Sequence, residues 1–332
     1  MTVLVTGGAG YIGSHTVRAL RRAGRDVVVL DTLERGNRAA VLDTPLVVGN
    51  IADGELVQRI CAEHDVDAVV HFAAYKSVGE SMHRVGAYFH NNVDATVSLL
   101  DALVTAGVSR IVFSSSCSVY GTPEIVPVTE AAPIRPESVY AETKAMVERA
   151  LHWYGDVAGM RSVSLRYFNA SGASFDSVIG EDWDAAINLV PMVMKAALGF
   201  RPPVQVFGSD YPTPDGTAIR DYIHVDDLAD AHIRALDYLA AGGVTTALNV
   251  GTGVGSSVAD VIQATETITG TSVPVEYVGR RAGDPVSSFA NAALVTETLG
   301  FTPRYGLKEI IETAWNWHST HPYGFKAGPA PE

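Results

Sequence analysis

Residues 3–13 read Val-Leu-Val-Thr-Gly-Gly-Ala-Gly-Tyr-Ile-Gly, and eighteen residues beyond Gly13 an aspartate, Asp31, closes a second apolar run, Val27-Val28-Val29-Leu30. A strand, a glycine-rich turn, a helix and a second strand ending in an acid form the outline of a dinucleotide-binding βαβ unit. Gly7, Gly8 and Gly10 allow a tight turn and close approach of the backbone to a pyrophosphate, and Gly13 lets the helix lie against the strand. The helix then opens at Tyr11 and Ile12, presenting unpaired N–H groups and the positive end of its dipole to phosphates. Asp31 is placed to accept hydrogen bonds from a ribose 2′-hydroxyl and to repel a 2′-phosphate, so NAD is expected rather than NADP.

Outward from this unit, short β-rich runs alternate with helical patterns. Strands are expected near 2–6, 26–31, 46–48, 68–72, 109–114 and 161–167, and helices near 11–24, 53–64, 84–106 and 138–158. Repeated βα units predict an α/β fold, a doubly wound parallel sheet of Rossmann type, with a smaller C-terminal α/β substrate domain. Residues 1–172 plus about 220–255 are assigned to the NAD-binding domain, because Asp226–Ala240 and Thr246–Gly251 read as one more helix and strand returning to the sheet. About 173–219 plus 256–326, richer in Pro, Gly and loops, are assigned to substrate binding, and 327–332 to a flexible tail. Ligands of such sheets lie beyond the carboxyl ends of the strands. That rule aligns Gly7–Gly13, Asp31, Phe72-Ala73-Ala74, Ser114-Ser115-Ser116 and Tyr167-Phe168-Asn169 along one rim.

Composition narrows the partners. With 332 residues, 47% of them hydrophobic, 18% charged and a formal charge of −13, the chain reads as globular and lacks the basic balance that nucleic acid or an anionic membrane would need. Two cysteines, Cys61 and Cys117, lie too far apart in sequence for a C-x-x-C motif, and the ten histidines form no metal-ligand spacing. No metal is expected. The first strand begins almost at Met1 without a leader-like run, so a reducing, cytoplasmic setting is expected.

Tyr140-Ala-Glu-Thr-Lys144 opens a predicted helix, and the i, i+4 spacing puts phenol and ammonium on one face. A free tyrosine, with a pKa of ~10, is a poor base at neutral pH. A cation ~4 Å away is worth ~4 kcal/mol at an effective dielectric of 20, about three pKa units before burial opposes it. Lys144 together with the positive nicotinamide of NAD is expected to give an accessible phenolate.

These residues carry a family resemblance. Tyr140 and Lys144 after a strand ending in serines resemble the short-chain dehydrogenase/reductases, and Gly7-x-x-Gly10-x-x-Gly13 resembles their extended branch. Ala73–Ser81, Ser114–Gly121, Leu165–Gly172 and Arg220–Ala229 are similar to the UDP-glucose 4-epimerases. The resemblance implies a reversible, NAD-dependent C4 epimerisation of UDP-galactose and UDP-glucose, an isomerase reaction of galactose metabolism. It implies that Tyr140 takes the 4-hydroxyl proton, that Ser116 relays it or holds the 4-oxygen, and that Lys144 lowers the phenol pKa and binds the nicotinamide ribose. The same resemblance assigns Asn50, Ile51, Phe72, Ala73, Ala74, Lys76, Asn92, Ser114 and Phe168 to the cofactor. To the substrate it assigns Lys76, Asn169, Asn188, Leu189, Val204, Val206, Arg220, Arg281, Asp284 and Ser288, with the arginines and Asp284 clamping the diphosphate and a ribose. Asn50 stands where an aspartate is usual for the adenine contact.

Two rivals differ in their requirements. A 4,6-dehydratase of the same superfamily needs an acid and a base after the strand-five serine, where this chain has Cys117-Ser118; a non-catalytic NAD sensor has no need of Tyr140 and Lys144. Ser288, aligned on Arg281-Ala-Gly-Asp284, falls where epimerases restricted to plain hexoses carry a tyrosine, so activity is expected to extend to UDP-GlcNAc and UDP-GalNAc unless Ser287 or Phe289 takes that position. By the same resemblance, the helices near 84–106 and 138–158 pair across a two-fold axis in a homodimer through a four-helix bundle, using Val97, Leu99, Leu100, Leu103, Met146, Val147, Ala150 and Leu151 unless these face the sheet.

Overall fold

A computed structural model describes residues 1–182, 186–281 and 283–326, so the expected flexible tail lies outside the described residues. In chain order the strands are β1 (Thr2–Thr6), β2 (Asp26–Asp31), β3 (Leu46–Val48), β4 (Val66–His71), β5 (Arg110–Ser114), β6 (Arg161–Tyr167), β7 (Asn169–Ser171), β8 (Val204–Phe207), β9 (Ile219–His224), β10 (Thr246–Val250), β11 (Gly255–Ser257), β12 (Val275–Val278) and β13 (Ser287–Ser288). The helices are α1 (Tyr11–Arg22), α2 (Gly54–Glu63), α3 (Val78–Ser81), α4 (Val85–Phe89), α5 (Ala95–Thr105), α6 (Val139–Ala158), α7 (Leu189–Ala197), α8 (Val225–Ala240), α9 (Val258–Thr269), α10 (Ala293–Leu299) and α11 (Leu307–Thr320).

Seven strands form one parallel sheet in the order β10-β6-β5-β4-β1-β2-β3. The chain winds outward from β1 through β2 and β3 and then returns to β4, so the order reverses between β1 and β4, where α/β sheets open a crevice. Near-continuous apolar strands suit burial on both faces, and the period of two decides which face each residue joins. Val3, Val5, Val27 and Val29 pack with Val17 and Leu20 of α1 and Leu228 and Leu236 of α8. Leu4, Val28 and Leu30 pack on the opposite side with Val57 and Ile60 of α2, Leu99 and Leu103 of α5, and Val147 and Leu151 of α6.

The helix expected over 84–106 is broken. α4 and α5 are joined by a π turn at His90–Asp94 that turns Asn92 inward, where it is 3% exposed. Such one-turn bulges place a side chain that a regular helix would misdirect. Leu99, Leu100 and Leu103 are fully buried against the sheet, and Val147 and Leu151 nearly so. The residues expected to make a dimer contact are therefore largely core residues.

β9 lies in a second, small sheet between β11 and β13, with β7 also paired to it. β8 and β12 form a two-stranded parallel ribbon. α7, α9 and α11 enclose a third core with Val190, Met194, Val204, Tyr222, Val261, Ile310 and Ile311. The expected division at 255/256 is crossed by α10, whose Val295 and Leu299, with Phe301, join the core of the large sheet. β9 likewise pairs in the small sheet, while α8 and β10 belong to the large one.

Candidate active site

The glycine turn leaves β1 at Thr6 and is pressed against the end of β4. Gly7 has φ +73°, and a Cβ there would meet the Ala73 nitrogen at 2.5 Å; a Cβ on Gly13 would meet the Gly7 oxygen at 2.3 Å. Any side chain at either position would push apart the strand–turn–helix contact. Gly10 caps α1 without a side-chain hydrogen bond, and the first turn contains no acid. The N–H end of α1 is thus shaped for an anionic ligand, a fit with a dinucleotide pyrophosphate. Asp31, 9% exposed, accepts the Ala9 N–H at 2.9 Å and the Leu33 N–H at 2.8 Å, so it braces the turn that it faces and keeps acceptor capacity for a ribose.

Several other sequence-predicted residues lie around this turn. The Phe72 and Ala73 N–H groups both donate to the Thr6 carbonyl, at 2.9 and 3.1 Å, fixing the Phe72–Ala74 segment beside Gly7. Asn92 accepts the Tyr75 N–H at 2.8 Å and donates to the Tyr75 carbonyl at 3.0 Å, a two-point clamp on the same loop. Lys76 donates to the buried Glu181 at 2.9 Å, and the Tyr11 hydroxyl donates to the Gly172 carbonyl at 2.6 Å. The Asn50 side-chain oxygen accepts the Ala52 N–H at 2.9 Å, and the neighbouring Ile51 is buried.

The proton-handling candidates converge on the end of β5. Ser138 caps α6 through the Ala141 N–H at 3.2 Å, so the first turn starts at Val139 and presents Tyr140 and Lys144 one turn apart. Both are buried, at 8% and 4% exposure. Lys144 donates to the Ser114 carbonyl at 2.7 Å and sits 4.8 Å from the Phe113 ring centroid. Burial raises the Tyr140 phenol well above its ordinary range, Tyr167 adds to the shift, and a hydrogen bond to Ser116 opposes it. Burial also lowers Lys144 to about 7, opposed by the carboxylate of Glu148. The expectation that Lys144 brings the phenol down is thus not met by the polypeptide alone, because burial penalises both charged forms.

Phe168, 5% exposed, packs with Val119, Tyr120 and Ala290 beside this group. Asn169 donates to the Asp221 carbonyl at 2.9 Å. Asn188 caps α7 with no side-chain bond, and Leu189 begins that helix. Arg220 approaches Asp284 at 3.8 Å, while Arg281 makes a two-point contact with Asp284 at 2.9 and 2.9 Å and lies over the Phe207 ring at 5.2 Å. β13 sets Ser288 opposite Arg220. Val204 and Val206 are 5% and 1% exposed, interior residues of β8 whose side chains do not share the Arg281 face. Gln205 and Phe207 are the outward residues of that strand; period-two alternation was the available signal.

Three further residues were missed. Glu148 lies four residues past Lys144, accepts the Ser115 hydroxyl at 2.5 Å and is held by Arg166. Its signal was the continued spacing of four. Asp221, 0% exposed, accepts from the Thr252, Gly253 and Ala290 N–H groups at 2.9–3.1 Å and ties β9 to the segments that carry Gly251 and Ser288. Glu181 had no local pattern. Among the described residues no group of three or more His, Cys, Asp or Glu could hold a metal, and no helix is long and apolar enough to cross a membrane.

With this geometry in view, comparison with known proteins identifies the family. The model of the NAD dependent epimerase/dehydratase family matches residues 3–251. The chain belongs to that family. It is 45% identical over 327 residues to UDP-glucose 4-epimerase of Lacticaseibacillus casei, covering 98% of this chain and 99% of the relative. A crystal structure of UDP-glucose 4-epimerase from Stenotrophomonas maltophila, with bound NAD and formylated UDP-arabinopyranose, is 42% identical and superposes with a TM-score of 0.94 over 97% of this chain and 99% of that one. The Bifidobacterium longum UDP-glucose 4-epimerase, in complex with NAD+ and UDP, is 38% identical with a TM-score of 0.91, over 98% of this chain and 100% of that one.

Proposed function

We propose that this protein interconverts UDP-galactose and UDP-glucose by NAD-dependent epimerisation at C4, through a 4-keto sugar. The observation that carries the reading is the buried Tyr140–Lys144 face of α6, set against Ser114–Ser116 at the rim that also holds the glycine turn. Bound NAD would supply the hydride acceptor, and then donor, for C4, so the cycle would be redox-neutral.

The residues that would hold NAD are the N–H groups of Gly7–Gly13, Asp31, Asn50, Ile51, Phe72–Ala74, Lys76, Asn92, Ser114 and Phe168, with Tyr140 and Lys144 at the nicotinamide end. Tyr140 accepts the 4-hydroxyl proton, Ser116 holds the 4-oxygen, and Lys144 stabilises the phenolate. Arg220, Arg281 and Asp284, with Asn169, Asn188 and Leu189, grip the uridine diphosphate. Their hold is what keeps the keto sugar tethered while it turns, a use of remote binding energy for the reacting centre. Purified protein given UDP-galactose and no added nucleotide is expected to form UDP-glucose with no net reduced nicotinamide. A 4-keto-6-deoxy product, or no product from a protein that binds NAD, would overturn the reading.

The reading extends to N-acetylated sugars. β13 pairs Ser288 with Arg220 and Ser287 with Ile219. Alternation gives Phe289 to the opposite face, and its ring indeed lies near Gly255 and Ile219. This supports Ser288, rather than Ser287 or Phe289, as the residue beside the sugar C2. Ser288→Tyr is expected to abolish turnover of UDP-GalNAc and leave UDP-galactose turnover within about twofold, the pattern of a steric gate. Equal turnover of both in wild type and variant would remove the assignment.

A homodimer is part of the proposal. Support comes from exposed apolar side chains on α5 and α6, Val104, Trp153 and Val157, of which Trp153 is 65% and Val157 82% exposed. Tyr154 links these helices through Asp101 at 2.5 Å. Trp153→Glu with Val157→Glu is expected to halve the mass seen by light scattering. Two free thiols, Cys61 and Cys117, support a reducing, cytoplasmic setting for a role in galactose metabolism.

A further inference from the structure

Tyr140, Lys144 and Glu148 follow one another at intervals of four along α6, so they rise as a single stripe on one helix face. The third member is as firmly held as the first two. Glu148 accepts the Ser115 hydroxyl at 2.5 Å, and Arg166 of β6 grips it with Nε at 3.0 Å and Nη2 at 2.6 Å. Arg166 is fixed in turn by the Tyr120 hydroxyl at 2.9 Å, and that hydroxyl donates to Asn249 at 2.7 Å. Both members of the pair are largely shielded from water, with side-chain exposures of 9% for Arg166 and 12% for Glu148.

This network holds the turn where the chemistry is proposed. Ser115 lies between Ser114, whose carbonyl takes the Lys144 hydrogen bond, and Ser116. One carboxylate therefore pins the serine turn to α6 and stands four residues, about one helical turn, beyond Lys144. The groups around Lys144 can be named element by element. β4 contributes His71, which is engaged by Thr6 at 2.7 Å and Thr96 at 3.0 Å and which burial pushes down to about 3, so it is neutral. β5 contributes the Phe113 ring and the Ser114 carbonyl. β6 contributes Tyr167, bonded to Ser114 at 2.7 Å, and Arg166 behind Glu148. α6 contributes Tyr140 and Glu148. Among the described residues, Glu148 is the acid acting on Lys144.

We propose that Glu148 is a positioning residue for the epimerisation: clamped by Arg166 and Ser115, it keeps the shared proton of the Tyr140–Lys144 pair on the lysine, leaving the phenol oxygen free to accept. The inference rests on the reading of Tyr140 as the base. When the pair holds one proton, two arrangements compete, a phenolate beside an ammonium and a phenol beside a neutral amine. A negative charge on the lysine side favours the first. In the forward step the 4-hydroxyl O–H bond breaks, its proton forms a new O–H bond on the phenolate of Tyr140, and Lys144 keeps its own three protons. In the return step the phenol gives that proton back to the sugar oxygen.

The test uses the NAD-loaded enzyme and follows tyrosinate absorbance with pH, subtracting the Tyr140→Phe titration so that the difference belongs to Tyr140. Glu148→Gln is expected to shrink the neutral-pH signal and to move its midpoint upward by about one pH unit, the scale of one charge across a buried helical turn. kcat at neutral pH should fall about tenfold while the KM for UDP-galactose stays within about twofold. Glu148→Asp, which keeps the charge, should restore the midpoint, and Glu148→Gln with Arg166→Met, which also removes the stranded cation, should fall between the single variant and wild type. A purely structural role would lower the melting temperature and kcat at every pH without moving the midpoint, and that result overturns the proposal. So does a Glu148→Asp midpoint that matches Glu148→Gln. If wild type minus Tyr140→Phe shows no ionisation at any pH, it is the assignment of Tyr140 as base that fails, and the proposal falls with it.

Discussion

On α6 the Lys144 ammonium is 4% exposed and answers to one largely shielded acid, whereas at the rim of the small sheet the Arg281 side chain is 62% exposed and pairs with Asp284, 20% exposed. The two regions use charge differently. Burial lowers Lys144 to about 7 and raises Tyr140, so small changes in the neighbourhood decide where a proton resides. The exposed pair is solvated and screened and contributes little to stability, and on the proposed reading its arginine is available to a substrate phosphate. On that reading, the first region tunes a proton and the second captures an anion.

Removing one atom from the tuned region should have the largest effect. Tyr140→Phe keeps the ring packing and loses the ionisable oxygen; kcat is expected to fall by about 10²–10⁴, the usual worth of a general base, with the melting temperature unchanged. Activity near wild type would erase the distinction between the regions. Lys144→Met should cost about one to two orders of magnitude in kcat. The same variant should retain less NAD through gel filtration, because it removes both the cation and the proposed ribose contact. Arg281→Ala belongs to the capture region and should raise the KM for UDP-galactose about tenfold with kcat within about twofold. A fall in kcat with unchanged KM would place Arg281 in the tuned region instead.

The large sheet was legible because its signals are local. Val27–Leu30 is apolar without alternation, as a strand buried on both faces must be, and the glycines and Asp31 sit at spacings that one βαβ unit imposes. Tyr140 and Lys144 were legible for the same reason, one helical turn apart. Elsewhere the pattern was ambiguous or nonlocal. Leu99, Leu100 and Leu103 read equally as a sheet-facing or a partner-facing stripe, and only the packing of α5 against α2 and the sheet decides between them. The π turn at His90–Asp94 answers to Tyr75, fifteen or more residues away, which no local period records. Val204 and Val206 were implied by the family resemblance alone, and alternation along β8 turns those side chains inward and Phe207 outward. Glu181 and Asp221 act through partners 105 and 31 residues distant, Lys76 and Thr252, so sequence spacing gave no hint of them.

On the proposed reading, the C4 hydrogen leaves the sugar as a hydride, stays at the site and returns to the same carbon. UDP-galactose carrying deuterium at C4, turned over in ordinary water and analysed by mass spectrometry, tests it most directly. The UDP-glucose formed is expected to keep the deuterium in full, even with unlabelled NAD added in excess. Loss of deuterium to water would mean that the carbon is deprotonated instead, and transfer into the added NAD would mean that the cofactor leaves during turnover; either result rules out hydride retention at the site.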